Sequence, residues 1–211
     1  HIKRERATSN ICTAQALLAN MAGMYAVYHG PEGMKAIAED IHTGAVYIHE
    51  KLNALGYKQG NPCFFDTLKV SLPEKMTTSD IRKIAESFEI NFYYPDNKTV
   101  QLSTDETTRE DELNEILHVF AVAAKKSFQR EKILEKKSML PSQLLRKDSF
   151  LEQEVFHKYR SETELMRYMR LLERKDYSLT HSMISLGSCT MKLNAATQLE
   201  PIGWPEFANI H

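Results

Sequence analysis

The residues best suited to chemistry sit in HSMISLGSCTMKLNAA, positions 181–196, where Ser188, Cys189, Thr190 and Lys192 follow Gly187. One chemistry is covalent. A Cys189 thiolate needs a base, and the nearest histidine in sequence is His181. Lys192 carries an amine of the kind that forms Schiff bases, with no recognisable cofactor context around it. The other chemistry is recognition. A Gly-Ser-Cys-Thr turn opening a helix offers backbone N–H groups and two hydroxyls to a phosphate or carboxylate, with the helix dipole favouring the negative charge. The same residues also make an ordinary N-cap through Ser188 or Thr190. Spacing leaves cradle and cap both open. A second turn of the same make-up, TSNICT at 8–13, places Ser9, Asn10 and Cys12 before another helix and reads the same two ways.

The remaining reactive residue types fit structural roles. His29 precedes Gly30-Pro31 and suits the end of a helix. Met21, Met24, Tyr25 and Tyr28 suit a core. The Glu/Arg alternation at 160–175 suits a solvated helical face. Cys12, Cys63 and Cys189 are odd in number and far apart, which points to a reducing compartment rather than a disulfide framework. No Cys/His cluster has zinc spacing, and His42 and His49 are too far apart for a simple helical metal pair. The formal net charge of −1 gives no general attraction to nucleic acid or anionic lipid. No apolar run approaches the roughly 20 residues of a bilayer span. No secretory signal follows the basic start HIKRER, and with no initiator Met the chain is expected to be a piece of something longer.

These turns need elements to hold them. SNICTAQALLANMAGMYAVYHG predicts a helix capped by Ser9 or Asn10, with Ile11, Ala14, Leu17, Leu18, Met21, Ala22 and Tyr25 on one face. Ala16, Ala19 and Gly23 lie on the other, and a helix so apolar all round is normally buried. Gly30 is expected in the left-handed conformation, with Pro31 opening a second helix to about Leu55. That helix carries the stripe Met34, Ile37, Ala38, Ile41, Ala45, Ile48, Leu52 and Leu55, and Gly56 stops it. CFFDTLKVSL alternates and predicts a strand. A helix follows, capped by Thr77 or Thr78, with Ile81, Ile84, Ala85 and Phe88 inward. INFYY and KTVQLS predict a hairpin about Pro95-Asp96-Asn97. The next helix has Thr108 as N-cap and Leu113, Ile116, Leu117 and Phe120 inward. A charged surface helix and a loop follow Ala124, with a module boundary near Ser138. Another helix starts at a Ser161–Glu164 capping box, with Leu165, Tyr168, Met169 and Leu172 as its stripe. The end, LEPIGWPEFANIH, reads as irregular. The fold class is α+β: long helix, three short and mostly antiparallel strands with helices on one face, then a mostly helical segment.

Whole phrases of the chain resemble one family. ATSNICTAQALLANMAGMYAVYHGPEG (7–33), FFDTL (64–68), SETELMRYMRLLERKDYSLTHSMISLGSCTMKLNAA (161–196) and WPEFANIH (204–211) are similar, in the same order, to the P-proteins of the glycine cleavage system. These are pyridoxal-phosphate-dependent glycine decarboxylases. The chain departs at Ser185, where the family reads proline; the turn's stiffness changes, its polar groups do not. The resemblance implies the middle of a far longer, two-halved enzyme in its fused form. Residues 1–138 would be the small C-terminal domain of a type I pyridoxal-phosphate fold ending the N-terminal half. Residues 139–211 would be the linker and helical start of the C-terminal half.

The family's cofactor lysine lies in a His-Lys motif that this sequence lacks. The stretch is therefore expected to hold no catalytic residue, no metal and no bound cofactor, while the full-length enzyme uses pyridoxal phosphate. By the same resemblance Ser188, Cys189 and Thr190 line the active site through hydrogen bonds, and the turn with Ser9, Asn10 and Cys12 faces the channel for a lipoyl arm. Lipoylated H-protein and the rest of the same chain would be the partners, in a homodimer, without nucleic acid or membrane. The location would be cytoplasmic in bacteria and mitochondrial in eukaryotes. Two other readings stand beside it: a non-catalytic module holding two halves of an enzyme together, and a complete small enzyme using Cys189 or Lys192, against which the missing Met and abrupt end count.

Overall fold

The computed structural model describes residues 15–133, 135–175 and 195–210. Residues 29–153 form one compact unit, and the other described residues, 15–28 and 154–210, belong to a second.

The unit of residues 29–153 is organised by the second limb of α1, a helix over Gln15–Leu55 that bends at Gly30. Gly30 has φ 61° and ψ −176°. The positive φ was expected, but this ψ is extended rather than left-handed helical, a region open almost only to glycine. The following limb runs from Pro31 to Leu55 and stops at Gly56, φ 96°, where Tyr57 N–H donates to Leu52 O at 2.9 Å. The Lys126 ammonium donates to the freed Leu55 carbonyl at 2.8 Å, a favourable place for a cation.

Strands β1 (Lys58–Gln59), β2 (Thr67–Ser71), β3 (Tyr93–Asp96) and β4 (Thr99–Ser103) form one antiparallel sheet in the order β1-β2-β4-β3. The predicted hairpin is present, but it turns at Asn97-Lys98, with Pro95 and Asp96 inside β3. Leu68 lies opposite Leu102, and Val70 opposite Val100. Because side chains alternate along a strand, all four share one face. That face is the buried one, packed with Val46, Ile48 and Leu52 of α1, Ile81 and Ala85 of α2 (Thr78–Ser87), and Leu117 and Phe120 of α3 (Glu110–Ala123). The other face presents Lys69, Gln101 and Ser103 toward water.

The helix starts are set by carboxylates. At α2 the Asp80 carboxylate accepts from Thr77 N–H at 2.8 Å and from its hydroxyl at 2.7 Å, so Thr77 is the cap, as expected. At α3 the cap is Arg109, not Thr108: Glu112 accepts the Arg109 N–H at 2.6 Å. Thr108 is drawn instead into a turn on Asp105. Residues at positive φ end these helices, Glu89 after α2 and Lys125 after α3, each with the next N–H reaching back five residues, Ile90 to Ala85 and Lys126 to Ala121.

That ending explains a departure from the sequence reading. The expected surface helix after Ala124 does not form; among its described residues, 125–141 are non-helical. The segment is strapped across α1 and α3 by side-chain hydrogen bonds and ion pairs. The strap also explains why positions 42–48 of α1 are buried all round rather than along one stripe.

In the second unit, α5 (Glu162–Glu173) is capped as expected, Ser161 Oγ accepting from Glu164 N–H at 3.3 Å. α4 (Val155–Lys158) precedes it, and Tyr159 stacks on Tyr168 at 4.2 Å. The tail expected to be irregular forms short helical turns, α6 (Ala196–Leu199), a 3-10 turn (Glu200–Gly203) and α7 (Pro205–Ala208). In the first limb of α1, Leu17, Leu18 and Met21 are 65%, 64% and 59% exposed, contrary to the burial expected of so apolar a helix. Among the described residues no helix is long and apolar enough to cross a membrane.

Candidate functional site

The turns singled out for chemistry, Ser188, Cys189 and Thr190 with Lys192 and His181, and Ser9, Asn10 and Cys12, lie outside the described residues. What the described residues show is the scaffold between them in sequence, and the cleft and polar network it carries.

One cleft of residues 29–153 has a volume of about 440 Å³. Asp40, Thr43 and Gly44 of α1 form one side; Thr104, Asp105 and Thr108 before α3 form another; Glu135 and Lys136 of the strap close a third. Several of its polar groups are already engaged. The Asp105 carboxylate accepts from the N–H and hydroxyl of Thr107, at 2.9 and 2.8 Å, and from those of Thr108, both at 3.0 Å. The Thr107 hydroxyl foremost holds this carboxyl below the usual carboxylate range. It is ionised at neutral pH, and the lowered pKa makes it a poor general base. Lys136 pairs with Asp40 at 3.0 Å, and the Asp40 bond raises its pKa. Thr104 donates to the Ile41 carbonyl at 3.1 Å. Four carboxylates and one lysine line this cleft. That charge does not suit a phosphate-bearing cofactor.

Beside the cleft runs a buried network that the sequence did not suggest. Asn114 on α3 is 4% exposed. Its Oδ1 accepts the Tyr47 hydroxyl at 3.0 Å, and its Nδ2 donates to Glu110 O at 2.9 Å and Glu131 O at 3.2 Å. Burial, then the Glu131 charge, raises the Tyr47 pKa, so its hydroxyl keeps the proton it donates. His42, also buried, is bonded through both ring nitrogens: Nδ1 to Phe65 O at 2.7 Å, Nε2 to Met139 N–H at 3.0 Å. A carbonyl only accepts and an amide N–H only donates. The ring is therefore the neutral tautomer with its proton on Nδ1. Thr43 accepts the Lys137 N–H at 3.3 Å while donating to Glu39 O at 2.7 Å. Lys51 meets Glu131 at 2.6 Å, and Lys137 meets Glu50 at 2.9 Å. Polar residues at 42, 43 and 47 inside an apolar helical run were the available signal, because a buried polar group requires a partner.

His49 leans on Phe64 at 5.2 Å and shares a hydrogen bond with Asn53 at 2.9 Å; burial lowers its pKa. Among the described residues no three His, Cys, Asp or Glu side chains gather as a metal site.

Comparison with known proteins supplies what this geometry does not. The family model described as glycine cleavage system P-protein matches residues 1–120. Over the whole chain, the sequence is 53% identical to a glycine dehydrogenase (decarboxylating) of Christiangramia forsetii, covering 22% of that protein. It is 47% identical to the mitochondrial glycine dehydrogenases (decarboxylating) of Solanum tuberosum and Mus musculus, covering 20% of each. The chain thus spans about a fifth of the length of the curated relatives it matches. A model match over more than half the chain, with whole-chain identity near one half, is decisive: the chain belongs to the family of glycine cleavage system P-proteins.

Proposed function

We propose that this chain is the middle of a glycine-decarboxylating P-protein and that it joins the enzyme's two halves without anchoring the cofactor. The observation that carries this is the uninterrupted match, at 53% identity, over all 211 residues, with both hydroxyl-rich turns inside it. Residues to about 138 serve as the small domain of a type I pyridoxal-phosphate fold; the antiparallel sheet under α1, α2 and α3 is consistent with that. The reaction of the whole protein releases CO₂ from glycine and hands the aminomethyl carbon to the lipoyl arm of a partner H-protein. Pyridoxal phosphate, held by residues beyond this chain, supplies the electron sink. The whole protein works as a homodimer, in the cytoplasm of a bacterium or the mitochondrion of a eukaryote.

This chain's own part is positional. Ser188, Cys189 and Thr190 hydrogen-bond the anionic groups of the site at a helix start, without covalent catalysis. Ser9, Asn10 and Cys12 border the path of the lipoyl arm. The strap binds helices that must not shift, which favours a scaffold role for residues 29–153. The test places this 211-residue sequence in the Christiangramia forsetii enzyme in place of its matching stretch, then adds Ser188→Ala with Thr190→Ala. A higher KM for glycine and a lower kcat, with an unchanged melting curve, is the expected result. Unchanged KM and kcat would refute the assignment.

A further inference from the structure

The first limb of α1 carries a surface that the described residues leave open. No Asp, Glu, Lys or Arg occurs from Ala7 to Pro31. Within the described part of that span, residues 17–23 are exposed on every side of the helix. Leu17, Leu18 and Met21 form an apolar ridge, each more than half exposed. Ala19 and Gly23 form a second, small-residue face, and a Cβ added at Gly23 would meet nothing within 4 Å. A ridge on one side and a close-approach face on the other are the marks of a helix enclosed between layers, not of one lying on a surface. An uncharged helix left in water on all sides has little to hold it together.

We propose that residues 15–23 are the docking part of this helix and that its occupant is polypeptide of the same P-protein outside these 211 residues, presenting an apolar, uncharged groove. The length of the family members supports this occupant. The chain accounts for 22% of its Christiangramia forsetii relative, so most of that protein is available to cover the limb. The lack of charge on the limb excludes a partner that recognises it by ion pairs. The proposal stands on the family's length and not on the chemistry proposed above, so no activity assay enters its test.

Hydrogen exchange by mass spectrometry is followed in the isolated 211-residue chain at several concentrations, and in the intact Christiangramia forsetii protein over the segment aligned with residues 15–23. The expected result is rapid exchange in the isolated chain and exchange slower by about 100-fold or more in the intact protein. A second arm makes Leu17→Glu, Leu18→Glu and Met21→Glu together in the isolated chain, where its melting curve should not change. Equally rapid exchange in both proteins would overturn the proposal. So would protection in the isolated chain: if it grows with concentration and is abolished by the triple substitution, the occupant is a second copy; if it is independent of concentration, the limb is covered by this chain itself.

Discussion

Replacing Asn114 with alanine removes a buried side chain that ties α1, α3 and the strap together. Three hydrogen bonds of 3.2 Å or shorter disappear, to the Tyr47 hydroxyl, Glu110 O and Glu131 O, with a weaker one from Glu131 N–H at 3.4 Å. Each buried bond is worth about 1 kcal/mol net, and a partner left unpaired costs about 1–3 kcal/mol. The Tyr47 hydroxyl recovers part of this by turning to Glu131 O, 3.4 Å away. The expected loss is about 3 kcal/mol, or a melting midpoint lower by roughly 10 °C for a unit of this size. Tyr47→Phe should cost about 1 kcal/mol, and the double variant should lose less than the two losses added, because both break the same bond. Urea unfolding followed by circular dichroism measures all three. A loss below about 0.5 kcal/mol for Asn114→Ala, or strict additivity with Tyr47→Phe, would show that the network does not hold the strap.

Acid should weaken the fold in two stages. Burial lowers the His49 pKa from 6.5, so the unfolded chain takes up that proton first; stability is complete above about pH 6.5 and is lost as pH falls through it toward the folded value. His49→Gln should flatten this first stage in a urea titration between pH 7.5 and 5. Asp105, lowered from 3.8 like Asp80 and Asp96, contributes stability that is present above that value and is lost below it; Asp105→Asn should reduce this second stage. Gly30→Ala forces a Cβ onto φ 61°, ψ −176° and should cost about 1–3 kcal/mol in the same assay; an unchanged midpoint would mean the bend in α1 is not needed. Phe120→Ala empties a fully buried site in edge contact with Tyr57 at 5.1 Å and should cost about 3–5 kcal/mol.

Local signals carried most of the fold. Leu68, Val70, Val100 and Leu102 announce strands because alternation in sequence is alternation in space. Gly56, Thr77 and Ser161 mark helix ends because capping involves only neighbours. What stayed hidden depends on distant partners. The strap reads as a surface helix because it is charged, yet its hydrogen bonds go to His42, Thr43 and Asn114, which are 17 to 97 residues away. For the same reason Tyr47 falls outside the predicted stripe of α1: the strap that meets its hydroxyl, at Glu131 O, does not show as such in the sequence. Strand β1 is two residues long and has no period to detect. Thr108 and Arg109 compete for one cap, and the choice is made by Asp105 and Glu112. The candidate site was legible only through resemblance, since a Gly-Ser-Cys-Thr turn is equally a cap and a cradle until its surroundings are known.

The central claim, that this chain is a cofactor-free join within a pyridoxal-phosphate enzyme, is tested most directly by incubating the 211-residue chain with pyridoxal phosphate, reducing with borohydride, and measuring intact mass and a peptide map. The account predicts no stoichiometric adduct on any lysine. A stoichiometric adduct on Lys192 would contradict it, for the GSCTMK stretch would then be a cofactor site in its own right.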